Sequence, residues 1–319
     1  MRTHFCLLVV VALVAFSGCS SCRGAESGRT KVAVSIFPVY DLVRRVAGPD
    51  ADVVLLLPPG KSEHHLDPTP KQVEEVAASK LGVMVGLGLD PWMEKIMKDA
   101  APKARVLKVG DRVPTIPIKL DMLGEEEAHA GGKDDDDKDH EKGSMDPHCW
   151  LDPARARLMA KAIGEELARI DASHAIAYRQ RAAELDEKLG ALDKEVEKRT
   201  QAWTRKDFVT FHGSFGYFAD RYHLQIVAVI EPFPGSVPTG KYIDAVRSVV
   251  ERKKVPALFS EPQLDPRPAK ILADELKVPL GVLDPVGGSA ETDSYEKLIR
   301  FDVDALERVL GKPSTAGAK

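Results

Sequence analysis

Residues 31–60 read KVAVSIFPVYDLVRRVAGPDADVVLLLPPG. The stretch opens with a short β-type run, Lys31–Phe37. It passes into Tyr40–Ala47, where Leu42, Val43 and Val46 recur at helical spacing before Gly48 ends the helix. It then returns to a strand, Ala51–Leu57, closed by the turn Pro58-Pro59-Gly60. Strand, helix and strand in such quick succession predict a βαβ unit, and hence a parallel sheet.

The alternation continues outward. Thr69–Ser79 has helical spacing, with Pro70 in its first turn, where a missing N–H costs little. Leu81–Gly86 and Arg105–Val109 read as strands and Pro91–Asp99 as a helix, completing a lobe over roughly residues 30–122. After Pro153 the pattern is helical, with a break near Asp171. The second part carries Tyr178, Ala182, Leu185, Leu189, Leu192 and Val196 as one apolar stripe. From Ser173 to about Arg199 it would run about 40 Å, the width of a lobe, and so reads as a rigid strut. Phe208–Phe211, Gln225–Ile230, Ala257–Ser260 and Leu280–Leu283 then read as strands, alternating with helices at Tyr242–Lys253, Ala269–Leu276 and Tyr295–Leu310. The expected fold class is α/β: two lobes with parallel sheets and flanking helices, joined by a long helix.

The 319 residues are 44 % apolar and 29 % charged, enough for two cores, and the net charge of −4 offers no basic field for nucleic acid. Phe5–Phe16 is an apolar run too short to span a bilayer, and no later run is long enough. After the strand and helix alternation of the first lobe, Gly124–Gly143 concentrates Glu125–Glu127, Asp134–Asp137, His129 and His140, a charge density that cannot pack and predicts a solvated loop. Four cysteines occur, with Cys22 and Cys149 far apart, so no disulfide framework is implied.

The chemistry sits at strand exits, where α/β lobes place ligand sites. His64 follows the second strand and its Pro-Pro-Gly turn, with Glu63 before it and His65 as a rival after it. His148 stands in Asp146-Pro147-His148-Cys149-Trp150, just before the helix opened by Pro153. His212 directly follows Phe208–Phe211; Glu261 and Asp284 follow two further strands. Three neutral imidazoles and a carboxylate make a closed tetrahedral set for Zn²⁺. His129 and His140 are candidates for auxiliary metal contact; His174 and His223 read as structural. No H-E-x-x-H helix occurs, the Cys-x-x-Cys spacing of Cys19 and Cys22 stands alone with no second pair to complete a metal site, and the long spacings between the candidates do not define a site by themselves.

Two resemblances extend this reading. The apolar leader ending in Ser17-Gly18-Cys19 resembles a bacterial lipoprotein signal, implying cleavage after residue 18, lipidation of Cys19 and a tether over 19–30. From Lys31 to Gly311 the chain resembles the metal-specific, zinc and manganese, solute-binding lipoproteins of bacterial ABC importers. The motifs PPGKSEHHLDPTP, GLGLDPWMEKI, DPHCWLDP, FHGSFGYFADRY, SEPQLD and LDPVGG come in the family's order. The resemblance implies a metal site in the cleft between the lobes, with His64, His148, His212 and Asp284 as ligands and Glu63 and Glu261 as auxiliary groups. It implies an amino-terminal lobe over 31–152 bearing the acidic loop 124–143, a helical segment over 153–201, a carboxy-terminal lobe over 202–311 and a tail over 312–319. An imidazole at position 212 favours Zn²⁺ over Mn²⁺, which prefers oxygen donors. The implied protein is an exported, membrane-anchored monomer that captures zinc for an ABC importer permease, without catalysis. The alternatives are a manganese-binding importer component and a zinc-dependent hydrolase.

Overall fold

The computed structural model describes residues 28–118, 144–232, 235 and 237–311. The leader with Cys19 and Cys22, the segment 124–143 with His129 and His140, and the tail 312–319 lie outside the described residues.

Strands β1 (Thr30–Val34), β2 (Ala51–Leu55), β3 (Leu81–Met84) and β4 (Arg105–Lys108) form a parallel sheet in the order β2-β1-β3-β4. Val32 of β1 faces Val53 on one side and Leu81 on the other. Burial on both faces explains why β1 and β3 read as continuous apolar runs rather than alternating ones. The crossovers are α1 (Phe37–Ala47), α2 (Pro70–Ala77) and α3 (Pro91–Ala100), each with proline in its first turn. Thr69 and Gln72 add a reciprocal capping box to α2.

Helices α4 (Pro153–Ile170) and α5 (Ala175–Gln201) follow as a packed pair, separated by the expected break at Asp171. The 27 residues of α5 span about 40 Å. The predicted stripe, Tyr178 through Val196, is its buried face. At one end α5 packs on α1, and Arg181 donates to the otherwise open carbonyls of Val46 and Ala47 at the end of α1, at 2.7 Å each. At the other it packs on α9 (Tyr295–Leu310).

The second lobe holds two parallel pairs, β5 (Asp207–Thr210) with β6 (Gln225–Val229) and β7 (Leu258–Ser260) with β8 (Leu280–Val282), with β5 beside β7. Its helices are α6 (Gly216–Arg221), α7 (Gly240–Lys253), α8 (Arg267–Leu276) and α9. The short α6 is an addition to the sequence reading; six residues are too few to display a period. It is fixed instead by edge-on packing of Phe218 against Phe215 and Tyr222.

One continuous apolar core runs from the first sheet through α1, α4 and α5 to Phe208, Phe218, Leu283 and Tyr295. A second, smaller core gathers Val209, Phe211, Ile230, Tyr242, Val246 and Leu272. Polar contacts also clasp the lobes. Trp150 Nε1 donates to Pro285 O at 2.7 Å, and Tyr295 Oη donates to Trp150 O at 2.6 Å. Asp41 of α1 accepts the first N–H of α9, from Tyr295, at 3.0 Å, and Arg45 pairs twice with Glu296. Among the described residues, no helix is long and apolar enough to cross a membrane.

Candidate metal centre

The ligand-bearing loops leave the carboxyl ends of the strands, as expected for this architecture. Beyond β2, Leu56 and Leu57 continue into the Pro-Pro-Gly turn, which delivers Glu63 and His64; Trp92 Nε1 holds the Glu63 carbonyl at 3.1 Å. His148 opens the short turn Cys149–Leu151 before α4, and His212 stands just beyond β5. Glu63, His64, His148 and His212 converge, with one ligand atom from each lying within 4.8 Å of all the others. The three rings form a near-regular triangle, with centroid separations of 5.2, 5.5 and 5.6 Å.

Two of the imidazoles are held in matching ways. Asp146 Oδ1 accepts the backbone N–H of His148 at 2.9 Å and faces its Nδ1 at 2.8 Å. Glu261 accepts the backbone N–H of His212 through Oε1 and faces its Nδ1 through Oε2 at 2.6 Å. A carboxylate opposite each Nδ1 keeps a proton there, so both Nε2 lone pairs point inward, the tautomer a metal requires. The two Nε2 atoms lie 3.3 Å apart. Two Zn–N bonds of about 2.0–2.1 Å at a tetrahedral angle also place their nitrogens about 3.3 Å apart. Glu63 Oε1 lies 3.7 Å from His212 Nε2 and 3.9 Å from His148 Nε2, and it has no hydrogen-bond partner among the described residues. A buried carboxylate oxygen without a donor, beside two inward lone pairs, calls for a cation.

The electrostatics agree. Burial works against a charged His212, but the adjoining Glu261, with Glu63 and Glu231, outweighs it and raises the His212 pKa to about 9. Burial also raises the Glu63 pKa, opposed by His212 and His148.

The fourth position differs from the sequence reading. Asp284 stands outside the convergent group, because its own loop consumes its oxygens. Oδ1 accepts from Gln263 at 2.7 Å, Gly287 N at 2.8 Å and Val286 N at 3.2 Å, and Oδ2 accepts from Thr292 at 3.2 Å. Glu63 stands with the three imidazoles instead. His65 turns outward, with 77 % of its side chain exposed. Cys149 is buried in the core, where desolvation pushes its thiol up to about 12, so it offers no thiolate. Gly86-Leu87-Gly88, all at positive φ, forms a tight strand exit whose Val85 and Gly86 amides donate to Asp90. Asp146 escaped the sequence reading; the signal for it was the Asp-x-His spacing, which lets a carboxylate reach the next-but-one backbone amide.

Residues 32–309 match the family model described as zinc-uptake complex component A, periplasmic. The high-affinity zinc uptake system protein ZnuA of Brucella suis biovar 1 is 28 % identical over 334 residues, covering 97 % of this chain and 99 % of that protein. The zinc-binding lipoprotein AdcA of Streptococcus pneumoniae serotype 4 is 29 % identical, covering 99 % of this chain and 61 % of its own length. Among solved structures, a zinc-bound deletion mutant of ZnuA superposes with a TM-score of 0.75 at 21 % identity, over 89 % of this chain and 99 % of that one. The periplasmic zinc-binding protein TroA of Treponema pallidum superposes with a TM-score of 0.75 at 22 % identity, over 89 % and 100 %. These likenesses establish the two-lobed α/β fold.

Proposed function

Since the chain belongs to the family of periplasmic zinc-uptake complex component A, we propose that it captures one Zn²⁺ in the cleft between its lobes and delivers it to the permease of an ABC importer. The observation that carries this is the convergence of three imidazoles and the unpartnered Glu63 oxygen, with two Nε2 atoms already at tetrahedral spacing.

In this reading His64, His148, His212 and Glu63 are the ligands. Glu261 and Asp146 hold the imidazoles from behind, and Asp284 contributes to the loop rather than to the ion. Three nitrogens and one carboxylate suit Zn²⁺ better than Mn²⁺, which favours more oxygens. A fourth protein ligand fills the position that a hydrolytic zinc site keeps for water, so the ion is cargo and the protein no enzyme. Cargo must also leave, and protonation of the imidazoles lowers the affinity. The leader over 1–18 is removed, Cys19 carries the lipid, the tether 19–30 spans to the membrane, and the protein works outside the cytoplasm as a monomer.

The direct test is elemental analysis of the full mature protein purified without added metal. About one equivalent of zinc per chain is the expected result, and manganese in its place, or no metal with no zinc uptake on titration, would overturn the reading.

A further inference from the structure

The motif that carries His212 reaches across the cleft and grips the residue that orients His148. Tyr217 Oη donates to the carbonyl of Asp146 at 2.7 Å and accepts from Ile116 N at 3.2 Å. The Tyr217 side chain is buried, and the Arg155 guanidinium caps its ring at 4.5 Å. One residue earlier, Gly216 lies so close to Asp146 that a Cβ there would overlap Oδ2. The remaining oxygen, Oδ1, is the one engaged by the His148 backbone N–H and Nδ1. With its own N–H donating to Ile116 O at 2.9 Å, Asp146 is therefore fixed at four points, two of them supplied by α6 of the other lobe.

We propose that Gly216 and Tyr217 are positioning residues for zinc capture: they set Asp146, and through Asp146 the tautomer and ring angle of His148. The inference rests on the zinc site proposed above. Its physical basis is that the Asp146-Pro147-His148 turn cannot fix itself. Pro147 has no N–H, and the buried Asp146 carbonyl takes its hydrogen bond from Tyr217. Without the phenol hydroxyl that carbonyl would be left unpaired, and the turn would relax toward another donor, swinging Oδ1 away from Nδ1. The lobe that presents His212 thereby also sets the angle of its partner imidazole.

The test uses the full mature protein, with Zn²⁺ measured by chelator competition and Co²⁺ as a spectroscopic stand-in whose visible bands report ligand geometry. Tyr217→Phe is expected to weaken zinc by about ten- to a hundredfold and to change the cobalt bands. Asp146→Asn should do the same, and the double variant should be no worse than Asp146→Asn, because both act through one carboxylate. Gly216→Ala, which pushes on Oδ2 while leaving the hydroxyl, should alter the same bands. Phe218→Leu is the control for α6 itself, since Phe218 packs on Phe215 and Tyr222; it should lower the melting temperature of the metal-free protein yet leave bands and affinity unchanged. Wild-type bands and affinity in Tyr217→Phe would overturn the inference alone. So would equal losses in Phe218→Leu, which would assign the effect to helix stability. A wild-type chain that binds neither ion would overturn the zinc reading first, and this inference with it.

Discussion

His148 and His212 turn their Nε2 atoms toward each other at 3.3 Å, while each sets its Nδ1 against a carboxylate, Asp146 at 2.8 Å and Glu261 at 2.6 Å. Two lone pairs at that separation repel unless a proton or a metal ion lies between them. In the metal-free protein burial works against a charged His212, but Glu261, with Glu63 and Glu231, outweighs it and raises the His212 pKa to about 9, so the imidazole itself carries a proton.

The first consequence concerns pH. His212 is protonated in the metal-free protein at neutral pH, so binding must expel that proton. The sign is fixed: affinity rises with pH up to about 9 and falls below it, by about tenfold per pH unit from His212 alone. Glu261→Gln removes the charge that lifts the pKa and should flatten the profile. Chelator competition at about pH 6.5, 7.5 and 8.5 measures the slope, and a wild-type profile that is flat across this range would contradict the proton-for-metal exchange.

The second separates the two carboxylates proposed for the fourth ligand. Glu63→Gln should cost zinc affinity about a hundredfold or more, since it removes a ligand and leaves a buried amide in its place. Asp284→Asn should change affinity by less than about threefold, its effect falling on the loop that Gly287 and Thr292 close. The reverse pattern in a competition titration would return the ligand role to Asp284.

A third prediction uses the base of the acidic segment. Ile118 N donates to Ser144 O at 2.9 Å, and Pro117 bridges to Met145, so the ends of residues 119–143 are held side by side. Replacing that stretch with a short glycine turn should therefore leave the fold intact. A zinc titration should then show one tight site and lose only weak ones. Disappearance of the tight site would mean that His129 or His140 belongs to it.

Cys19→Ala supplies a fourth. The variant should be exported or retained as a precursor without lipid, and detergent phase partitioning should move any processed form to the aqueous phase. Membrane attachment of a processed Cys19→Ala protein would remove the lipoprotein assignment.

The fifth concerns the clasp between the lobes. Asp41 is buried; it accepts the Tyr295 N–H and pairs with Arg44 and Arg45. Asp41→Ala leaves these donors without their carboxylate and should destabilise the metal-free protein by about 3 kcal/mol in urea unfolding. A loss below about 1 kcal/mol would show that the apolar core alone holds the lobes together.

Much of this was legible in the sequence because the pattern and the physics coincide. Every described strand of the two lobes overlapped a predicted β-type run, β1 and β5 each starting one residue before it, and the stripe from Tyr178 to Val196 announced its own buried face. The imidazoles were legible as polar residues at strand exits. What escaped was set by hydrogen bonding across the fold rather than by period. Nothing in the order of residues says that Asp284 would be consumed by Gln263, Val286, Gly287 and Thr292, or that Glu63, expected only as an auxiliary group, would stand with the three imidazoles in its place. Likewise α6 is too short to show a period, and Asp146 looked like the start of a turn before its carboxylate was seen against His148.

The division of the interior into two cores gives the bound ion a mechanical role. His212 follows β5, whose Val209 and the adjoining Phe211 belong to the smaller core, whereas Cys149 and Trp150 beside His148 belong to the larger one. Sub-global opening of the smaller core would move Val209 and Phe211 beside His212 and would also have to draw Phe208 of the same strand out of the larger core. An ion held jointly by His64, His148 and His212 is a rivet between the two units. Such opening then requires the ion to be released first, so the amides of β5, β6 and α7 exchange with solvent at a rate governed by zinc occupancy. The cargo thereby sets how long the carboxy-terminal lobe stays closed.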